Sequence, residues 1–203
     1  MTVIYLIFAL LVAYATNKMV NTVKLGPGMK VYSSPWQTTV KNADSIEMKG
    51  FKLNPLAEFR MEGKILSKRR YWFGRQTRIS KYDFAMGWKK MSDEEVLKDF
   101  TIVQATRWYR WSSSDLKMPR YEVISSSGNM HMIPADKEIA RKLRRAKIGQ
   151  IVDLRGYLVN ATYGEDWNWQ SSLTRTDIGS HACEVFYVKE FKTVIANKDD
   201  ENN

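Results

Sequence analysis

ADKEIARKLRRAKIGQIVDLRGYLVNA, residues 135–161, contains the change of period that decides the fold. In its first half the apolar residues recur at helical spacing. Ile139, Leu143 and Ala146 form one stripe, and Lys137, Arg141, Lys142, Arg144, Arg145 and Lys147 cover the outer face. Pro134 and Asp136 open this helix, and Gly149 suits its C-terminal end. The second half alternates. Val152, Leu154, Gly156 and Leu158 point one way, and Asp153, Arg155 and Tyr157 the other, which is the two-residue period of a strand. A glycine in mid-strand marks a bulge or sharp coil, as needed where a sheet closes on itself.

Outward from this stretch the chain reads as more strands and short helices. Segments 58–71, 101–111, 121–127, 167–173 and 182–194 have strand patterns, with Val103, Ala105, Tyr109 and Trp111 sharing a face. Between 79 and 100, Ser80 precedes Asp83 by three and Ser92 precedes Glu95 by three. Ile79 with Phe84 and Met91 with Val96 supply the matching hydrophobic staples. The spacing predicts two short helices separated near Gly87, and assigns Asp83, Asp93, Glu94 and Glu95 to capping. Residues 26–50 read as a tether, 51–195 as the globular domain and 196–203 as a polar tail.

The leader TVIYLIFALLVAYAT, 2–16, carries no charge. Fifteen helical residues cover about 22 Å, so spanning a hydrocarbon core of roughly 30 Å requires continuation to Leu25. The reading is a transmembrane anchor over 1–25. A cleaved signal ending near Ala13-Tyr14-Ala15 is the alternative, and the missing basic n-region opposes it. Lys18, Lys24 and Lys30 follow the apolar start and favour a cytoplasmic domain, with a periplasmic one as the alternative. The expected fold is α+β: an N-terminal transmembrane helix followed by an OB-like or related closed β-barrel domain with short helices. The expected location is the bacterial inner membrane, in a single pass.

Two resemblances accompany this reading. A helix followed by G-x-x-V-x-L-x-G-x-L (149–158) resembles oligonucleotide/oligosaccharide-binding (OB) barrels over roughly 56–194, which implies a helix plugging one end between the third and fourth strands. DFAMGWKKMSD (83–93), NMHMIPA (129–135) and WQSSLTRTDIGSHACEVFYV (169–188) resemble the hallmark segments of an uncharacterised family of bacterial membrane-anchored proteins. The second resemblance implies an envelope-associated protein and supplies no activity.

The chain has 203 residues, 44% of them apolar, and a formal charge of +10, which favours anionic partners such as nucleic acid or lipid headgroups. Two histidines and one cysteine are too few for a zinc cage, and no metal or cofactor is expected. The richest concentration of reactive side chains is 166–188. Cys183 as nucleophile, His131 or His181 as base and Asp177 as orienting group would make a cysteine-dependent hydrolase. Against this, Cys183 opens an apolar strand, on the face of Val185 and Tyr187, where a cysteine ordinarily acts as a small hydrophobe. Arg175 with Asp177 either fixes a turn or binds an anion. Arg107, Trp108, Tyr109, Arg110 and Trp111, and again Lys68 to Trp72, interleave cations with aromatics as single-stranded nucleic-acid binders do. The expected function is a membrane-anchored, non-enzymatic binding or assembly module. It contacts the membrane through 2–25, and its binding residues are Arg141, Arg144, Arg145, Arg175 and Asp177. The partner is an unidentified protein or anionic headgroups. The hydrolase and the nucleic-acid binder are the alternatives.

Overall fold

The computed structural model describes residues 22–174 and 182–194. Its strands, in chain order, are β1 (Trp36–Thr39), β2 (Ile46–Met48), β3 (Phe51–Arg70), β4 (Tyr82–Gly87), β5 (Phe100–Ala105), β6 (Trp108–Ser113), β7 (Ser127–Pro134), β8 (Ile151–Tyr163), β9 (Trp167–Trp169) and β10 (Glu184–Val194). Three short α-helices interrupt them: α1 (Glu94–Leu97), α2 (Arg120–Ser125) and α3 (Lys137–Arg145).

The twenty-residue β3 organises the rest. Its first part, from Lys52 to Lys64, pairs antiparallel with β8, and its last part, from Lys64 to Arg70, pairs with β4. Register shifts between Pro55 and Ala57 and between Ile65 and Ser67 bend it between those partners, as bulges do. β4 pairs with β7, β7 runs parallel to β10, and β10 returns antiparallel to β8. The ring β3-β4-β7-β10-β8-β3 therefore closes. β1 and β2 pair with β3, β9 extends from β8, and β5 with β6 form a separate hairpin.

Alternation fills the ring. Phe59, Met61, Phe84, Met86, Met130, Met132, Leu154, Leu158, Phe186 and Val188 face inward and are buried. Each such side chain removed from water contributes about 1.5–3 kcal/mol. α3 packs Ile139, Leu143 and Ala146 against one end, where β7 finishes and β4 begins. Trp88, which follows β4, packs into the other end with Val31, and its Nε1 donates to the Ser125 carbonyl at 3.1 Å. Asp136 caps α3 by accepting from Ile139 N at 2.8 Å, and Lys68 Nζ donates to the Arg144 and Ala146 carbonyls at its far end. Burial lowers the Lys68 ammonium to about 8. Gly156 lies where β8 and β10 approach most closely. A Cβ there would stand 1.9 Å from the Tyr187 carbonyl oxygen, beside the bulge between Val188 and Glu190.

The α+β fold led by a transmembrane helix is corrected. The structure is mostly β-sheet, and among the described residues no helix is long and apolar enough to cross a membrane. Residues 22–25, expected to complete that helix, are extended. Thr22 bridges to Ile148, Val23 N donates to the Ile148 carbonyl at 2.7 Å, and Leu25 N donates to Glu94 Oε1 at 2.7 Å. These N–H groups have partners across the fold, so no helical i−4 bond holds them. The single-pass placement in the inner membrane loses its support with that helix; residues 2–21 lie outside the described residues. Residues 26–50, expected as a tether, carry β1 and β2.

Three local readings also change. Residues 82–87 are a strand, because Phe84 and Met86 face inward while Asp83 finds partners outside. Residues 101–111 break into two strands at Thr106-Arg107. Residues 120–125 are helical, and the strand begins only at Ser127. At the second capping signal, Asp93 caps α1 by accepting from Glu95 N at 2.9 Å. Ser92 Oγ instead accepts from the N–H groups of Lys30 and Val31.

Two outcomes follow from this packing. Gly156→Ala lowers stability by about 1–3 kcal/mol through overpacking, measured by urea denaturation; an unchanged midpoint contradicts the close β8–β10 approach. Burial works to raise the Glu94 carboxyl, but the Leu25 and Gly26 N–H groups and the Lys64 ammonium outweigh it and hold it below the ordinary 4.5. A carboxyl lowered on folding contributes stability above its unfolded value, which is lost as pH falls through the folded one. The protection factors of the Leu25 and Gly26 amides, measured against their intrinsic exchange rates, therefore fall as the pH drops below 4.5, and in Glu94→Gln they are already lower at neutral pH.

Candidate functional site

The densest polar grouping lies on the outer face of β4 and β7, under the tip of the β5–β6 hairpin. Ala105 pairs with Trp108, so the turn contains only Thr106 and Arg107, at φ of 49° and 68°. Two consecutive left-handed residues define the tight hairpin turn that favours Asn-Gly. The β2–β3 turn, Lys49-Gly50, follows that preference at its second position. Thr106-Arg107 does not, and residues held there cost of order 1–3 kcal/mol each. Surrounding bonds must over-determine the conformation.

Those bonds converge on Arg107. Its guanidinium donates to Asp83 Oδ1 at 2.5 Å and to the Ser80 carbonyl at 2.7 Å, and it lies 4.2 Å from the Tyr71 ring centre. Its N–H donates to the Tyr71 hydroxyl at 3.1 Å, and its carbonyl accepts from Asn129 Nδ2 at 3.2 Å. Asn129 Oδ1 in turn accepts from Gln104 Nε2 at 2.6 Å. Asp83 is fully buried, so the guanidinium is the counter-charge that makes its ionised form tolerable there. His131 pairs with Asp83 in register and places Nδ1 3.0 Å from Asp83 Oδ1, off the line of a hydrogen bond; its ring stacks on Trp169 at 4.6 Å. Tyr109 donates to Ser127 Oγ at 3.0 Å, and burial pushes its phenol up to about 12, with the Ser127 bond working against that rise.

The expected thiol site takes a different form. Cys183 is half-buried; Asn129 Nδ2 lies 3.5 Å from Sγ, and the Arg107 carbonyl lies 3.9 Å away. Among the described residues no hydrogen bond joins Cys183 to His131, whose imidazole turns to Asp83 and Trp169. His181, Arg175 and Asp177 lie outside the described residues. No group of three His, Cys, Asp or Glu residues able to hold a metal occurs among the described residues.

The expected basic surface divides. Arg141 and Arg144 line a cavity of about 430 Å³ between α3 and the β3–β4 connection, whereas Arg145 faces a separate depression beside Phe191 and Lys192. The cavity also receives Lys137 from α3, Lys49 from the β2–β3 turn, and Arg70, Arg78 and Lys81 from β3 and its connection to β4. Its floor is apolar, with Ile79, Met132 and Leu143 buried. No acidic residue lines it, and none of these seven cations has an ion pair among the described residues. Arg70 lies flat on Trp72 at 3.5 Å, and Arg78 lies 4.9 Å from the Tyr163 ring centre.

Comparison with family models, with curated proteins and with solved structures finds no match to this chain. The site is therefore read from its own geometry. Sequence reasoning assigned Asp83 to a cap and counted Arg107 among the cations of the nucleic-acid alternative, and it passed over Lys49, Arg78 and Lys81. One signal for Asp83 was present: a carboxylate inside the apolar run YDFAMGW (82–88) has to find a buried cation.

Removing that cation exposes its importance. Arg107→Ala lowers stability by about 3–5 kcal/mol, because Asp83 stays buried without its partner; Asp83→Asn combined with Arg107→Ala recovers part of the loss. Urea denaturation of the two single variants and the double variant checks the coupling, and additive effects contradict it.

Proposed function

We propose that this protein is a non-enzymatic binding module for an anionic partner, received in the cationic cavity between α3 and the β3–β4 connection. The supporting observation is the convergence of seven cations from three separate parts of the chain, with no ion pair among the described residues. Each pair of unit charges about 7 Å apart repels by roughly 0.6 kcal/mol even in water, and by more beside a low-dielectric wall. A bound anion relieves that repulsion. Arg70 is held against the Trp72 ring and keeps N–H groups for forked oxygen acceptors, whereas Arg78 lies by Tyr163 and donates to the Lys49 carbonyl.

The non-enzymatic reading draws on the other polar grouping. Asp83, Arg107, Asn129 and Gln104 are engaged with one another and hold the strained hairpin. A single-stranded nucleic acid is the second reading for the partner. Trp72 and Phe73, beside the cavity, are 65% and 92% exposed and offer rings on which bases stack.

The test compares two double charge reversals on immobilised heparin. Arg141→Glu with Arg144→Glu places two acids in the cavity, whereas Arg60→Glu with Lys192→Glu makes the same change of net charge elsewhere. The cavity variant elutes at clearly lower salt than the control variant. Equal elution of the two excludes this cavity as the anion site.

A further inference from the structure

Resting on the anionic-partner reading, we propose that the cavity beside α3 takes a nucleoside polyphosphate, with the phosphates on the cationic rim and the base on the apolar floor. The cations do not run in a stripe, as a track for a polymer would require. They surround one hollow: Lys49 from a turn, Arg70, Arg78 and Lys81 from β3 and the connection that follows it, and Lys137, Arg141 and Arg144 from one face of a helix. The volume of about 430 Å³ falls in the range of roughly 300–1,000 Å³ found for small-molecule sites.

The floor and the rim require different parts of one ligand. Ile79, Met132 and Leu143 are buried but border the cavity, and Tyr82 and Pro134 complete the apolar wall. An inorganic anion would satisfy the rim and leave this wall wet. A planar base covers it, and half-buried Tyr82 adds an aromatic contact at the wall. The rim requires multiple charge, because a monoanion leaves most of the mutual repulsion of seven cations in place. A terminal phosphate contributes roughly 1.5 to 2 negative charges and each further linked phosphate about one more, so a triphosphate offsets about half of the seven cations and a monophosphate far fewer. The Arg70 guanidinium, held 3.5 Å from the Trp72 ring centre, offers the fork that suits the paired oxygens of a phosphate.

Isothermal titration of the full chain with ATP, GTP, AMP, inorganic triphosphate and a twelve-residue oligothymidylate decides the matter. ATP or GTP is expected to bind at least about tenfold tighter than both AMP and inorganic triphosphate. Arg141→Glu with Arg144→Glu lowers that affinity at least tenfold, and Arg60→Glu leaves it unchanged. If inorganic triphosphate binds as tightly as ATP and GTP, the base has no subsite; the nucleotide assignment falls and the anionic-partner reading stands. If the oligothymidylate binds more tightly per nucleotide than ATP or GTP, the ligand is a strand and the assignment falls. If none of these ligands binds and heparin does not distinguish the two double variants, both readings fall.

Discussion

One strand serves two neighbours on one side of the ring, and the architecture depends on that constraint. β3 gives twelve positions between Lys52 and Lys64 to β8 and the stretch from Lys64 to Arg70 to β4, so it has to bend twice without losing register. A slip of one residue would turn Phe59 and Met61 out of the core and Glu58 and Arg60 into it. Gly156 sets the matching constraint on the other side, where β8 has no room for a side chain against β10. With these two conditions met, the parallel β7–β10 pair is fixed. It brings Cys183, Asn129 and His131 to the outer face and leaves α3 to cover one end.

The molecule concentrates polar chemistry in two places, and their charge balance differs. Under the β5–β6 hairpin the carboxylate of Asp83 and the guanidinium of Arg107 neutralise each other, and the Asn129 amide links Gln104 to the Arg107 carbonyl. That grouping is buried between the outer face of the ring and the hairpin, and it holds a turn whose backbone is otherwise unfavourable. Beside α3 the cations have no counter-charge among the described residues, while the floor beneath them is apolar. Among the described residues, the first arrangement pairs its charges but leaves Asp83 Oδ2, Gln104 Oε1 and His131 Nδ1 buried without a hydrogen bond. The second is amphipathic and electrostatically unbalanced, which is the condition of a recognition surface.

Much of this was legible where periodicity was strong. The helix at 137–145 and the alternating strand after it follow directly from their spacing, as does the paired glycine constraint at 156. The apolar leader was read through to Leu25, but residues 22–25 make β-type and side-chain contacts that hydropathy does not register. Capping signals misled at Ser80-x-x-Asp83, because a serine and an aspartate three apart also occur where a strand carries a buried ion pair. The hairpin turn at Thr106-Arg107 was invisible, since neither residue belongs to the usual turn vocabulary and only tertiary bonds stabilise it. Arg141 and Arg144 were singled out on their helix. Lys49, Arg70, Arg78 and Lys81 join them only through the fold, from positions up to 95 residues distant in the chain.

The double duty of β3 has a consequence for biosynthesis. Lys52 pairs with Thr162 across 110 positions, so the ring stays open until the C-terminal third of the chain has left the ribosome. At roughly 5–20 residues per second that is a delay of about 5–20 s, with a long unpaired edge presented to other nascent chains. Lys52, Glu58, Arg60, Glu62, Arg69 and Arg70 remain solvent-facing along β3. Their alternating signs make edge-to-edge association with a neighbour's strand unfavourable during the wait, so the same residues that solubilise the finished protein act as gatekeepers against aggregation while it is being made.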